Sequence, residues 1–204
     1  MIRPLISALA LALSATGCGQ DHYSDCNQGK DPDRQISGCT SVIERGTRES
    51  KENRAMAYLN RGNAYGKKGA VDRAIADFDK AIEIHPNYAD AYTNRGNAYD
   101  DKGEVDRAIA DHTKAIALNP NDVLAYFNRG AAYQKKGEFD RAIADSDKAI
   151  ALNPKFAAAY HNRGVAFAKK GDKERAIADF RKTLEIDPSN QLAKNNLKAL
   201  GVTP

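Results

Sequence analysis

The sequence predicts an all-α fold, a superhelical solenoid built from helix-turn-helix repeats. Three observations predict it. The phrase Tyr-x-Asn-Arg-Gly and the phrase Arg-Ala-Ile-Ala-Asp each return every 34 residues, and a proline closes each unit. The first phrase starts at Tyr58, Tyr92, Tyr126 and Tyr160, the second at Arg73, Arg107, Arg141 and Arg175, and the prolines are Pro86, Pro120, Pro154 and Pro188. A fixed period of this size is typical of solenoids, in which each unit buries its apolar face against its neighbours.

The repeated positions resemble those of the tetratricopeptide repeat, counted with Ala55 as the first residue of the first unit. The small residue of the first helix is Gly62, Gly96, Gly130 and Gly164, followed three residues later by Tyr65, Tyr99, Tyr133 and Phe167. The small residues of the second helix are Ala74, Ala108, Ala142 and Ala176, then Ala81, Ala115 and Ala149, with Thr183 departing in the last unit. The second-helix aromatic is Phe78 and Phe180 in the outer units but His112 and Ser146 in the middle ones. The resemblance implies a right-handed superhelix with units over residues 55–88, 89–122, 123–156 and 157–190.

Local signals place the helix ends inside each unit. Gly69, Gly103, Gly137 and Gly171 are expected to end the first helices in the left-handed conformation. Asn87, Asn121 and Ser189 follow the closing prolines and are expected as N-caps. Residues 191–204 are expected to form a capping helix with Leu192, Leu197 and Leu200 inward.

Residues 1–19 have the pattern of an export signal. One positive charge precedes an apolar run from Leu5 to Ala15, and small residues suited to a cleavage site follow it. Cleavage after Gly19 would release a soluble protein. Alternatively, the signal would end at residue 17, where an imperfect lipobox would leave Cys18 as a lipidated first residue. We therefore expect an exported, periplasmic protein that contacts the membrane only through a lipid on Cys18, if at all.

Residues 20–54 are expected to form an amino-terminal half-repeat that caps the first unit. The segment Arg34 to Glu44 overlays the second-helix phrase Arg73 to Glu83. Two cysteines, Cys26 and Cys39, remain under either cleavage. Export to an oxidising compartment favours a disulfide between them. Two free thiols in a cytosolic protein are the alternative if the export signal is not used.

The resemblance implies that the first helices line a concave groove that binds a protein or an extended peptide. One asparagine per unit would lie there as a ladder, similar to the asparagine ladder of sugar-transferase repeat domains; its members are Asn60, Asn94, Asn128 and Asn162. An amide can both donate to and accept from a peptide group. The alternative is that each asparagine bonds a neighbouring helix and keeps the stack in register. The candidate groove residues are Asn60, Asn63, Asn94, Asn97, Leu124, Phe127, Asn128, Lys135, His161, Asn162 and Lys169.

The carboxylate clamp of the family's chaperone-tail binders is not expected. Only Asn63 and Asn94 match it, because Leu59, Leu124 and Asn128 occupy the places that need charge. Arg61, Arg95, Arg129 and Arg163 recur with Asp77, Asp111, Asp145 and Asp179, which favours intramolecular pairing over an anion site.

No catalytic function, cofactor or metal is expected. The four histidines have no metal-ligand spacing, and no phosphate-binding or nucleophile motif occurs. The net charge of +4 comes from 31 basic and 27 acidic residues that are interspersed, which argues against a nucleic-acid partner. The expected function is protein binding in the groove. The alternative is a lipid-anchored component of an envelope assembly that binds through other faces. The sequence leaves the oligomeric state open.

Overall fold

The structure, a computed structural model, describes residues 18–203, and every long element in that range is an α-helix. The cap contains α1 (Cys18–Gln28) and α2 (Pro32–Glu44), and a short 3-10 turn (Gly46–Arg48) leads into the repeats. The repeats contain α3 (Lys51–Lys67), α4 (Val71–Ile84), α5 (Ala89–Asp101), α6 (Val105–Leu118), α7 (Val123–Lys135), α8 (Phe139–Leu152), α9 (Ala157–Lys169) and α10 (Lys173–Ile186). The last helix is α11 (Gln191–Ala199). The predicted export signal lies almost wholly outside the described residues.

The turn inside each unit depends on glycine. The first helices are followed by glycines with positive φ, which side-chain-bearing residues rarely adopt. These are Gly69 (71°), Gly103 (77°), Gly137 (75°) and Gly171 (83°). The left-handed conformation expected at these positions is confirmed, and it lets α4 and its equivalents fold back on the preceding helix.

The predicted N-caps between units are wrong. Asp122, not Asn121, caps α7, since its Oδ1 accepts from the backbone N–H groups of Leu124 and Ala125 at 2.9 and 3.0 Å. Asn190, not Ser189, caps α11. The cap of α5 is Tyr88, which makes no side-chain bond. Two residues follow each proline before the next helix begins, so the helix starts one residue later than we expected.

Small residues allow the two helices of a unit to lie close together. Ala74, Ala108, Ala142 and Ala176 are at most 1% exposed. The ring of Phe78 packs on Gly62, and Phe78 shares a cluster with Ala91 and Ala98 of the next unit. The core of the first unit therefore continues into the second unit, as the repeat pattern predicted.

The cap contains one more helix than the expected half-repeat. Helix α1 packs on α2, with Cys26, Cys39 and Val42 buried. The Cys26 and Cys39 Sγ atoms lie 2.09 Å apart. Lys68 bonds Asp33 of the cap, just as Lys102 bonds Asp72 of the first unit. The cap thus contacts the first unit as each later unit contacts the one before it.

The capping helix α11 buries Ala193 and Leu197, while Leu192 is 63% exposed. Leu200 is half-buried. The prediction for Leu192 was wrong because consecutive helical residues point about 100° apart, so residues four apart share the inward face. The buried stripe is set by Ala193 and Leu197.

Candidate functional site

The candidate groove lies along the first helices of the units. Helix α3 contacts α5, α5 contacts α7, and α7 contacts α9. Depressions open on this row of helices. One, lined in part by Asn63 and Asn94, has a volume of about 390 Å³. Another, which includes Leu124, has a volume of about 440 Å³.

Three of the four ladder asparagines bond an asparagine outside the ladder, in the cap or in the preceding unit. Asn94 Nδ2 donates to Asn63 Oδ1 at 2.8 Å, and Asn128 Nδ2 donates to Asn97 Oδ1 at 2.8 Å. Asn60 Nδ2 donates to Asn27 Oδ1 in the cap at 3.1 Å. One donor of each side chain therefore holds neighbouring first helices in register, while its Oδ1 and second N–H are left for another partner.

The fourth member of the ladder breaks the pattern. Ala131 stands at the place of Asn97, so Asn162 has no asparagine to bond there. Instead, Gln134 Nε2 donates to the main-chain carbonyl of Asn162 at 2.9 Å. The contact between α7 and α9 is thus made by a different side chain.

The apolar candidates differ in what they offer to a partner. Leu124 is 56% exposed on the groove surface. Phe127 is half-buried and packs edge-on against Phe156, with ring centroids 5.0 Å apart. Leu59 is buried at 6% exposure. Leu124 is therefore the apolar candidate with the most free surface.

Lys135 and His161 already have partners within the chain. Lys135 Nζ donates to Asp100 at 2.7 Å. His161 Nε2 lies 3.1 Å from Asn196 Nδ2 of the capping helix, and its ring packs on Phe180. Burial lowers the pKa of His161. Lys169 is exposed and contributes to a small depression of about 140 Å³ beside α11.

The four arginines form intramolecular pairs, as the sequence favoured. Each guanidinium holds the aspartate of its own unit through two bonds of 2.7–2.9 Å. Its third nitrogen reaches the second helix of the preceding unit, at Thr40, Asp79, Thr113 and Asp147. The pKa of Arg61 is raised because Asp77 accepts its hydrogen bonds. These side chains are not available as an anion site.

Sequence reasoning missed Gln35. In the overlay of the cap on the first unit, Gln35 aligns with Ala74, so a large polar side chain occupies a small position. It is 7% exposed, and its Nε2 donates to the Cys26 carbonyl at 3.2 Å. The departure from the small residue was visible in the sequence.

Among the described residues, no group of three or more His, Cys, Asp or Glu side chains is arranged to hold a metal ion. No helix in residues 18–203 has the length and apolar character needed to span a membrane.

Comparison with known families identifies the repeats. Models described as "Tetratricopeptide repeat" match residues 55–88, 78–110 and 127–191, and one described as "TPR repeat" matches residues 96–137. A solved structure titled "Crystal structure of MamA" is 31% identical, with a TM-score of 0.70, over 78% of this chain and 90% of that one. The chain belongs to the tetratricopeptide-repeat family. The predicted fold class is confirmed.

Shorter members of the tetratricopeptide-repeat family match part of the chain. The first repeat domain of Spaghetti (RPAP3), solved with the HSP90 peptide SRMEEVD, is 33% identical with a TM-score of 0.55. It covers 55% of this chain and 90% of its own. The Arabidopsis OM64 domain is 33% identical with a TM-score of 0.55, over 55% of this chain and 93% of its own. A search of curated proteins gives no match. The repeats and these neighbours support a protein-interaction module.

Proposed function

We propose that this tetratricopeptide-repeat protein binds an extended segment of a protein partner in the groove along α3, α5, α7 and α9. The observation that carries the proposal is the row of asparagines next to the exposed Leu124. The amides of Asn94 and Asn128 are oriented by their bonds to Asn63 and Asn97 and keep polar atoms for a peptide backbone. Leu124 supplies apolar surface at the middle of the row.

The partner differs in chemistry from the acidic HSP90 peptide bound by the RPAP3 domain. At the places where a terminal carboxylate would need cations, this chain has Leu59, Leu124 and Asn128. Asp90 and Asp122 border the same depression as Leu124. A negatively charged terminus would therefore find no lysine or arginine at these places and would lie near two carboxylates.

We also propose that the protein is exported to the periplasm and that Cys26 and Cys39 are joined there. The pattern of residues 1–19 and the contact between the two buried sulfurs support this. Mass spectrometry of the protein isolated from the envelope would test both points. Loss of residues 1–19 and of two thiol hydrogens is expected. An added lipid on Cys18 would indicate the anchored form, and an intact amino terminus would contradict export.

The groove is tested by substitution of one exposed leucine. Leu124→Lys should remove capture of the native partner from envelope extract, because it places a charge on the apolar contact. Leu152→Lys is the matched control, since Leu152 is 39% exposed at the end of the second helix α8. Both variants must melt like the parent. Retained capture by Leu124→Lys would contradict groove binding.

A second function is favoured by one feature of the ladder. Because Asn60, Asn94 and Asn128 bond asparagines of the cap or of the preceding unit, the ladder has a structural role even without a ligand. An envelope-assembly component that binds through other faces would use exposed residues such as Leu152 or Leu192 instead. Loss of the partner in Leu152→Lys, but not in Leu124→Lys, is the result expected for that function.

A further inference from the structure

The second unit adds negative charge to a groove that is apolar or basic elsewhere. The second position of the first helices is occupied by Met56, Asp90, Leu124 and Ala158. The thirteenth position is occupied by Lys67, Asp101, Lys135 and Lys169. Helix α5 is therefore the one first helix of the four units that has an aspartate at both positions.

The depression of about 440 Å³ brings this negative charge next to exposed apolar surface. Asp90 of α5 lines it together with Asp122 and Leu124 at the start of α7. No lysine, arginine or histidine is among its lining residues. Asp90 and Leu124 are exposed and Asp122 is half-buried, so a partner can reach all three side chains. The volume is within the range of about 300–1,000 Å³ typical of ligand pockets, which is enough for one long side chain.

Asp122 is held in place by neutral donors alone. Its Oδ1 accepts from two backbone N–H groups at the start of α7, and its Oδ2 accepts from the Thr93 hydroxyl at 3.2 Å. These bonds orient the carboxylate without cancelling its charge. Neither Asp122 nor Asp90 forms a salt bridge with another residue of the range 18–203.

The cations nearest in sequence and along the groove are paired with other carboxylates. Arg95, on the same helix as Asp90, holds Asp111. Lys135, on the same helix as Leu124, donates to Asp100 at 2.7 Å. The negative charge of the depression is therefore not compensated by these side chains.

We propose that this depression receives a long cationic side chain, arginine or lysine, of the partner segment. The proposal rests on groove binding as the function and names the residue class that the groove selects. The apolar stem of the side chain packs on Leu124, and its charged end lies near Asp90 and Asp122. Such side chains cover apolar surface with their stems while the charge stays in contact with water. An acidic side chain would be repelled, because charges of like sign would meet.

The test compares synthetic peptides that differ in one charge. Capped glycine-serine octapeptides carry a central Leu followed by Arg, Lys, Glu or citrulline, which has the shape of arginine without its charge. Each is titrated into the ¹⁵N-labelled protein, and the N–H signals of Asp90, Asp122 and Leu124 are followed by NMR. The Arg and Lys peptides should bind about three- to tenfold more tightly than the citrulline peptide, as expected for a cation beside two accessible carboxylates. The difference should shrink in about 0.5 M salt, which screens exposed charges.

Two results of the titration would overturn the proposal. One is equal affinity for the Arg and citrulline peptides, or tighter binding of the Glu peptide, because a neutral or acidic segment would then fit as well. The other is self-association of the protein alone that shifts the same N–H signals, because a second copy would then occupy the depression.

Substitutions of the two carboxylates remove their charge and keep their shape. The variant Asp90→Asn/Asp122→Asn should bind the Arg and citrulline peptides equally. Asparagine is as good an N-cap as aspartate, so the start of α7 is preserved. Glu174→Gln is the matched control, since Glu174 is an exposed acidic residue in the first turn of the second helix α10, as Asp90 is in α5. It should keep the preference for Arg, and both variants must melt like the parent.

The outcomes also distinguish this proposal from the proposed function. If Leu124→Lys loses the native partner and Asp90→Asn/Asp122→Asn binds it as tightly as the parent, groove binding stands and the cation proposal is wrong. If Leu124→Lys retains the partner, groove binding is wrong, and the peptide titration still decides whether the depression selects a cation. An Arg peptide that binds the double variant as tightly as the parent contradicts the cation proposal in either case.

Discussion

At the scale of single residues, the glycine of each first helix packs on a phenylalanine in the outer units but on other side chains in the middle units. A Cβ at Gly62 would lie 2.6 Å from Phe78 Cε1, and one at Gly164 would lie 2.8 Å from Phe180 Cε1. At Gly130 the nearest atom would be Asp145 Cβ at 3.3 Å, because Ser146 replaces the phenylalanine. In the outer units, a phenylalanine ring therefore leaves room only for glycine at this position. In the third unit, glycine is much less necessary.

We predict that Gly62→Ala is less stable than Gly130→Ala. Overpacking costs ~1–3 kcal/mol, while replacing glycine by alanine inside a helix gains ~1 kcal/mol. Gly62→Ala should therefore lose up to about 2 kcal/mol, and Gly130→Ala should stay within about 1 kcal/mol of the parent. Urea unfolding of the three proteins measures this. An equal loss in both variants would contradict it.

His112 occupies the place of the phenylalanine in the second unit. It is 1% exposed and packs on Gly96, and its Nδ1 bonds no described residue. Burial lowers its pKa from 6.5 to about 4, against the opposing effect of nearby Asp111 and Asp100. His112 is therefore neutral in the folded protein near neutral pH, and it is as buried as the phenylalanine at this position of the first unit.

We predict that acid destabilises the parent more than His112→Phe. The pKa of His112 is lower in the folded than in the unfolded chain, so its contribution is complete above pH 6.5 and is lost as the pH falls toward about 4. The slope in that window is at most ~1.4 kcal/mol per pH unit. Unfolding free energies between pH 4 and 7 test this. His85→Gln, at an exposed site, is the control, and parallel curves for parent and His112→Phe would contradict it.

At the scale of elements, the crossing of the two helices in a unit depends on a buried alanine. Ala108 and Ala142 are 0% exposed where their second helices pack on the first. The arginine-aspartate pairs join the same helices and extend to the preceding unit. Asp111 is buried at 7% exposure, so loss of its arginine would leave an unpaired buried carboxylate.

We predict that Ala108→Leu destabilises the fold by ~1–3 kcal/mol through overpacking. Ala110→Leu, at an exposed site on the same helix α6, is the matched control and should be nearly neutral. Thermal or urea unfolding of both variants provides the measurement. A melt of Ala108→Leu that coincides with the parent would show that the helix register is wrong.

At the scale of the whole molecule, each unit depends on its neighbours. The cap buries Val42 and Cys39 against Ala57 of α3, and α11 buries Leu197 against the cluster of Phe167 and Phe180. In such a stack, each unit contacts only its neighbours, so the stability of a terminal unit depends on its cap and on one interface with the next unit. The two ends are therefore expected to open independently of each other.

We predict that a reductant loosens the amino-terminal end alone, by breaking the disulfide proposed between Cys26 and Cys39. Closing a loop of about 15 residues is worth ~3 kcal/mol in the chain-entropy model. Hydrogen exchange of α1 to α3 should accelerate on adding a reductant, whereas α9 to α11 should keep their protection. The Cys26→Ala/Cys39→Ala variant should be insensitive to reductant. Uniform acceleration along the chain would contradict the prediction.

The 34-residue period by itself determined the fold class and the glycine turns. These predictions succeeded because the signals are local or repeated. The conformation of a left-handed glycine, the burial of an alanine and the pairing of an arginine with its aspartate depend only on contacts within one unit and with the unit before it. The predictions for the N-caps and for Leu192 were wrong by one residue along the helix, and each such step turns a side chain by about 100° around the helix axis.

Only the tertiary structure decided what the candidate groove residues do. Asn94 and Asn128 could have faced solvent or each other, and the distance between neighbouring first helices settles that they bond Asn63 and Asn97. The depression lined by Asn63 and Asn94 depends on contacts between the cap and two units, since Gln35 and Asp101 line it too. Such contacts join residues far apart in sequence, and the repeat pattern carries no signal for them, because they arise where the units differ.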